Sequence, residues 1–448
     1  MKRFVIKTLG CRANQSETET IAASLRNEGF SEVKPDPHSG ASDGGAEAVS
    51  VCVVNTCTVT ERASMQSRQA IRQAIRSYPG ARIVVTGCYA QIEPDEIREI
   101  EGVDEVIPQA EKSRVVSAIL SSVPDSRPSP ETIWPDALSI APKDARGTRT
   151  RAVLKIQDGC NAYCTYCIVP KARGRSRSMP EAQVISNLHG LHRAGYNEVV
   201  LSGIHLGNYG LDSNPAGSLH ELLVKIDRLG IINRIRLSSI EPAELSNEIV
   251  SLVAGSDRFC RHFHIPLQSG DDGVLKKMGR GYTNAFFEAL VRGIHEKIPD
   301  AAIGLDVLVG FPGESDEAFE NTFTLVESLP VSYLHVFPFS PRRGTPAFGM
   351  PEKVSSRSIK SRAARMRALG GEKRRAFYDS LVGGTTEILV EGRVDNVAVL
   401  VRGRTSNYVP VFMENYHGGE NSFVRVKVEK RLGDRGVLVS PISGPAAP

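Results

Sequence analysis

Cys160-Asn-Ala-Tyr-Cys164-Thr-Tyr-Cys167 places three cysteines within eight residues at the spacing C-x3-C-x2-C, with no fourth nearby. Three thiolates on one short loop can face a common centre. A 4Fe–4S cluster normally takes four thiolates, so this loop leaves one iron open. An open metal position is where chemistry happens, as at a catalytic zinc. A zinc knuckle has compatible spacing but brings a second close pair of ligands. His189 and His192 have the mutual spacing, yet they fall within a helical pattern over 181–194.

Outward from this loop the chain reads as a βα series. A strand over 152–156 leads directly into the cysteines, and further strands are expected over 198–201, 234–237, 262–265, 303–309 and 333–337. Helical patterns over 181–194, 219–229, 284–297 and 317–328 separate most of them. Six such units predict a barrel or partial barrel with its site at the carboxyl ends of the strands. The loops there, SGIHLGNYG, SSIEP, PLQSG, GFPGE and FSPRRGTP, are rich in Gly and polar residues and suit a polar cofactor. Taken singly, each is equally well read as an ordinary βα turn.

Upstream, strands over 4–9, 49–54, 81–85 and 104–107 alternate with helices over 16–28, 63–77 and 94–100 and one after 107. That alternation predicts a parallel sheet with helices on both faces. Cys11, Cys57 and Cys88 each follow one of the first three strands. The carboxyl ends of parallel strands share one edge, where ligands bind. Three cysteines far apart in sequence are thereby expected at one rim, as a second three-thiolate metal site. Gly10, Thr56 and Gly87 precede them, small or turn-forming residues that let the backbone approach closely. Cys52, among valines, and Cys260 read as inert thiols.

The segment 35–45 reads as a flexible loop, and 124–149, with its prolines, as a linker. The domains expected are therefore 1–123, a central barrel over 150–378 and a third over 379–443. The 448 residues suit this division. The third domain shows short β runs over 386–390, 397–402, 408–412, 422–428 and 436–439, a small β-barrel of the kind that binds nucleic acid. Tyr408, Phe412 and Tyr416 are candidates for base stacking or for its core. Net charge is only +4, so RNA binding must rest on local patches. One is the basic stretch 355–375, equally readable as a solvated helix face; the other is 171–177, beside the cysteine loop. No apolar run reaches membrane-helix length and the N-terminus lacks a signal-peptide pattern, so a cytoplasmic protein is expected, with cysteines serving as metal ligands or core thiols.

The C-x3-C-x2-C loop, with Tyr166 as the aromatic before its last cysteine, resembles the radical S-adenosylmethionine enzymes. Together with LGCRANQSE, NTCTVT and TGCYAQ it resembles the methylthiotransferases of that group over nearly the whole chain. IQDGCNAYCTYCIVPKARGRSRS and DVLVGFPGESDEAF are most similar to those modifying threonylcarbamoyladenosine in tRNA. The resemblance implies a Rossmann-like first domain, a partial (β/α)6 core and an RNA-binding TRAM-like barrel. It implies two 4Fe–4S clusters: a radical cluster on Cys160, Cys164 and Cys167, and an auxiliary, sulfur-delivering one on Cys11, Cys57 and Cys88. S-adenosylmethionine would be both radical source and methyl donor, since ring C–H bonds lie beyond side-chain base chemistry. The cofactor contacts expected are Tyr166, Gly203, Ser239, Glu241, Gln268 and Asp306. The family's Gly-Gly-Glu motif is absent; Ser202-Gly203 stands at that strand end. The partners implied are a tRNA anticodon loop and an electron donor such as flavodoxin or ferredoxin, with the enzyme a monomer. Isopentenyladenosine in tRNA, an aspartate of a ribosomal protein, and a non-catalytic iron–sulfur RNA-binding role are the competing readings.

Overall fold

Five parallel strands build the first domain in the computed structural model, which describes residues 2–33, 49–121, 150–213, 216–393, 400–414 and 416–442. Strand order is β2-β1-β3-β4-β5, from β1 (Arg3–Thr8), β2 (Ser31–Glu32), β3 (Val51–Thr56), β4 (Arg82–Gly87) and β5 (Glu105–Pro108). The middle residues of β1, β3 and β4 are apolar because both faces of the sheet are covered. α1 (Arg12–Asn27) and α5 (Val115–Leu120) pack on the Phe4, Val53 and Val84 side. On the other side Val5, Cys52 and Val85 meet α2 (Glu61–Ser77), α3 (Cys88–Ile92) and α4 (Pro94–Arg98). Cys52 is therefore a core thiol, as expected. The short edge strand β2 and helix α3 carry too little pattern to be read from sequence. α1 starts four residues earlier than expected, because polar Asn14 is paired inside the fold rather than solvated.

The central domain is an open arc of six parallel strands in two halves. One half is β10-β9-β6, from β6 (Arg151–Lys155), β9 (Glu198–Ser202) and β10 (Arg234–Leu237). The other is β11 (His262–Gln268), β12 (Ala302–Val309) and β13 (Tyr333–Pro338). They meet at an Ile235–Phe259 bridge and an Ile240 N–H bond to His264 C=O (3.1 Å). A small antiparallel pair, β7 (Gln157–Asp158) with β8 (Arg177–Ser178), brackets the cysteine loop and its helix α6 (Val169–Arg173). Helices α7 (Glu181–Arg193), α8 (Leu219–Leu229), α11 (Asn284–Lys297) and α12 (Asp316–Ser328) fall where periodicity placed them. The shorter α9 (Asn247–Gly255) and α10 (Asp272–Met278) do not announce themselves in the pattern. Side-chain caps from Ser218, Ser246, Asp271, Thr283 and Ser315 start five of these helices.

α13 (Ser356–Ser380) packs along β13 and leads to a closed barrel of β14 (Thr385–Arg393), β15 (Leu400–Thr405), β16 (Pro410–Glu414), β17 (Phe423–Arg431) and β18 (Val437–Pro441). The small barrel matches expectation; the reading of its flanks needs correcting. α13 is not a free basic face: Arg362 is buried against Glu314 (2.6 Å) and reaches Asp316, Arg365 pairs with Glu320, and Lys373 donates to the Glu327 and Leu329 carbonyls. Tyr408 is wedged between domains, and Tyr416 packs against the barrel core with its hydroxyl on Ser422 (3.0 Å). The expected loop 35–45, the linker 124–149 and the start of the 397–402 run lie outside the described residues. No described helix is long and apolar enough to cross a membrane.

Candidate metal centres and the seam between them

The cysteine loop leaves β7 through Gly159, whose φ of +74° and position exclude a side chain: a Cβ there would sit 1.9 Å from the Arg175 carbonyl oxygen. Cys160 N–H then bonds Gly174 C=O (3.1 Å), Thr165 N–H bonds Met278 C=O (3.0 Å), and Ala347 N–H bonds Thr165 C=O (2.9 Å). The loop is thus tied to three distant segments. Its thiols share one environment: burial pushes Cys167 up to about 12, with Cys164 and Cys160 raising it further. Cys160 Sγ lies 3.2 Å from His205 Nδ1, and Arg280 Nη1 donates to Cys164 Sγ (3.4 Å). Burial works against a charged His205, but Cys160 and Glu244 outweigh it and raise its pKa to about 10.

Cys11, Cys57 and Cys88 stand just beyond the carboxyl ends of β1, β3 and β4, three adjacent strands of the first sheet. Gly10 (φ +96°) holds the approach open: a Cβ there would lie 2.9 Å from Cys57 Sγ. Asn14 Nδ2 donates to the Leu9 (2.8 Å) and Thr56 (2.9 Å) carbonyls, fastening the first two strand ends together. Ser67 holds both the Cys57 N–H (3.1 Å) and its C=O (2.8 Å). Burial pushes Cys88 up to about 11, and charge on Cys11 raises both Cys88 and Cys57, as in a clustered triad.

The chain segments that carry the two triads pack together across a domain seam. α3, which begins at Cys88, packs on α6, which begins two residues after Cys167. Beneath them lies a closed charge network. Arg173 Nη1 bonds Glu17 (2.8 Å) and Asp158 (2.9 Å); Lys155 bonds Glu17 (2.7 Å) and Asp158 (2.8 Å); Lys112 bonds Glu17 (2.5 Å). All five side chains are nearly excluded from solvent. With Arg177 also 3.9 Å from Asp158, the cations outnumber the two carboxylates and leave positive charge in excess next to Cys11 and Cys88. Buried charge must be compensated, and thiolates carrying an iron–sulfur cluster would supply the missing anion. Every cysteine is free, so both triads offer the all-thiolate donor set such a cluster takes.

Expectation and structure part at Arg173. The stretch 171–177 was read as a phosphate-facing patch, yet Arg173 is buried in this network, leaving Lys171 and Arg175 exposed. Arg280, His205 and Arg342 were not singled out in the sequence. Arg342, from the loop after β13, donates to Thr58 Oγ1 (2.6 Å), Ser64 Oγ (3.1 Å) and Glu61 (2.7 Å), pinning the Cys57 loop to the core. Only the basic FSPRRGTP stretch hinted at it; the partners are over 270 positions away.

The expected cofactor contacts spread over the arc's carboxyl rim and lumen. Tyr166 packs edge-on against Phe311, with ring centroids 6.4 Å apart. Gly203 sits over Gln157, whose Oε1 accepts from the His205 N–H (2.7 Å). Ser239 is exposed on the β10 loop. Glu241 is ion-paired with Arg280, which joins it to the Cys164 side of the loop. Gln268 takes φ +62° at the bulge ending β11. Asp306 lies deeper, bonded to two histidines.

Residues 154–326 match the Radical SAM superfamily and residues 3–108 match an uncharacterised protein family, UPF0004. The chain is 36% identical to a threonylcarbamoyladenosine tRNA methylthiotransferase of Bacillus subtilis, covering 96% of this chain and 94% of that protein. An Aquifex aeolicus protein of the same description is 35% identical, with coverages of 92% and 97%. Among solved structures, the radical S-adenosylmethionine methyltransferase TsrM of Kitasatospora setae shares the fold with a TM-score of 0.55 at 17% identity, over 78% of this chain and 77% of that one.

Proposed function

The chain belongs to the radical S-adenosylmethionine methylthiotransferase family, and from that membership we propose that it methylthiolates C2 of N6-threonylcarbamoyladenosine at position 37 of tRNA, next to the anticodon. The observation that carries this reading is the presence of two cysteine triads on segments that pack together, in a chain that matches relatives of that activity nearly end to end. Sulfur transfer gives the second triad a use that radical generation alone does not require. A structural iron–sulfur protein has no use for a three-cysteine loop that leaves an iron open.

Cys160, Cys164 and Cys167 would hold the radical 4Fe–4S cluster, and Cys11, Cys57 and Cys88 the auxiliary one. When bound, these clusters and S-adenosylmethionine supply the one-electron and sulfur chemistry that side chains lack. The protein's own residues position and insulate. Arg280 and His205 point hydrogen-bond donors at Cys164 and Cys160, lowering the cost of thiolate charge there. Glu241 orients Arg280. Arg173 and its carboxylate partners set the spacing of the two sites. Tyr166, Gly203, Ser239, Glu241 and Gln268 would contact S-adenosylmethionine, while Asp306, also expected in that set, is instead bonded to His264 and His335; an anticodon-loop base, already unpaired, can be turned into the lumen. Electrons come from a small carrier such as flavodoxin or ferredoxin.

The test is nucleoside analysis. tRNA from cells lacking the gene should lose 2-methylthio-threonylcarbamoyladenosine and regain it on complementation. Unchanged levels in a strain with no other such enzyme would refute the substrate.

A further inference from the structure

The lumen of the arc holds a polar group that the cluster sites do not use. On β13, Tyr333, His335 and Phe337 alternate toward the lumen while Leu334 and Val336 pack on the core. Asp306 on β12 is in register with His335. Asp306 Oδ1 lies 2.8 Å from His264 Nε2 on β11 and 3.3 Å from His335 Nδ1. His264 Nδ1 meets the Tyr333 hydroxyl (3.0 Å), which also meets His262 Nε2 (2.8 Å). A side chain at Gly304 would strike the Tyr333 ring, so the ring's place depends on that glycine. The chain of partners ends at His335. Its side chain is 53% exposed, and among the described residues nothing engages its Nε2.

Burial alone would raise the pKa of Asp306, but the bonds from His264 and His335 hold it well below the usual carboxylate range. The cluster therefore presents a held imidazole, one nitrogen outward, beside the exposed ring of Phe337, whose centroid lies 6.4 Å from it. Two residues beyond Phe337, Phe339 packs on Phe311 (5.6 Å) and so on Tyr166 of the cysteine loop. His335 thus lies below the reactive rim by about 13 Å of strand, at about 3.3 Å per residue. A planar base entering past Phe337 would extend its N6 substituent toward it.

The threonylcarbamoyl substituent ends in a carboxylate; a dimethylallyl group or an unmodified amine has none. We propose that His335, oriented by Asp306 and His264, binds that carboxylate and makes the site selective for threonylcarbamoyladenosine. The inference rests on the proposed function, deepening it to the recognised group. His335 is the specificity-determining contact and Asp306 its positioning residue. The same three donors lie within 4.8 Å of one another, close enough for a divalent cation, but the short His264–Asp306 hydrogen bond already satisfies the carboxylate, which favours the substrate reading.

The experiment compares reconstituted wild-type protein, His335→Ala and His335→Gln on anticodon stem-loops carrying threonylcarbamoyladenosine, dimethylallyladenosine or unmodified adenosine. Losing a charge-assisted hydrogen bond should raise KM for the threonylcarbamoyl loop about 10- to 100-fold in His335→Ala, less in His335→Gln. The kcat, cofactor cleavage without RNA, and affinity for the unmodified loop should not move. Unchanged KM, equal loss on all three loops, or loss of a stoichiometric non-iron metal from the variant would each overturn the assignment while leaving the function intact. Failure of the wild-type protein to modify the threonylcarbamoyl loop would instead overturn the function, and this inference with it.

Discussion

Gly159 and Cys57 separate the two cysteine sites experimentally. With the Arg175 carbonyl 1.9 Å from where its Cβ would lie, Gly159→Ala must displace the Cys160 loop. Iron content should fall from about eight per chain to about four, and cofactor cleavage should vanish. Cys57→Ala should lose the same amount of iron yet keep some cofactor cleavage while abolishing sulfur insertion. Full methylthiolation by Cys57→Ala would remove the auxiliary role from its triad. Asp158 makes a pH prediction. Burial would raise its pKa, but Lys155 and Arg173 more than reverse that and hold it at about 2. Its folded value is depressed, so its contribution to stability is complete above the unfolded carboxylate value of about 4. That contribution fades as pH falls toward about 2. Urea unfolding followed downward from about pH 6 should show wild-type stability falling more steeply than that of Asp158→Asn. At neutral pH that variant should be about 3 kcal/mol less stable, since it leaves the buried cations Lys155, Arg173 and Lys112 sharing the single Glu17 carboxylate. The two cysteine triads proposed to hold the clusters were legible as candidates in the sequence, because loop spacing and strand-end position are local signals. Arg173 was not: its bond to Glu17 spans 156 positions, and composition cannot tell a buried arginine from a solvated one.

At the scale of elements, periodicity identified the long strands and helices wherever one face is buried. It missed α3, α6 and α10, helices of five to seven residues that show too few turns for a pattern. α13 was recognised as basic and helical, but the destination of its charges is tertiary. Arg362 is buried and bonds Glu314, whose pKa burial raises in spite of that arginine. Arg362→Ala should therefore cost about 3 kcal/mol in denaturant unfolding, by leaving a buried carboxylate unpaired. Arg357 and Lys360 are exposed on the same helix, and Arg357→Ala with Lys360→Ala should change stability by less than about 0.5 kcal/mol. Equal effects would mean that the helix does not dock through Arg362.

Across the whole molecule, Tyr408 of the small barrel closes the amino-terminal end of the arc. It adopts φ +69°, a strained choice for a tyrosine that its surroundings enforce. Its ring faces the guanidiniums of Arg404 (4.4 Å), Arg236 (4.6 Å), Arg151 (5.5 Å) and Arg12 (5.7 Å), and stands 4.8 Å from the His262 ring. Arg12 Nη2 also donates to its hydroxyl (3.2 Å). One side chain thus touches all three domains. An aromatic hydroxyl in a barrel-like fold reads as a base-stacking candidate until its neighbours are known, which is why sequence reasoning misplaced it. Tyr408→Ala should cost about 3–5 kcal/mol and split a single calorimetric unfolding transition into two, the small barrel melting first. A single transition at wild-type temperature would show that the barrel is held by its other contacts alone.

That clasp also makes the protein a gauge. Because Tyr408 is locked among residues of the first and central domains, the reach from the outer wall of the small barrel to the cysteine rim is set by the length of the arc. It does not vary with the sway of a tether. An RNA gripped at the barrel would have one segment, at one distance along its backbone, presented to the lumen. Register along the substrate then comes from the enzyme's own dimensions, before any base is read.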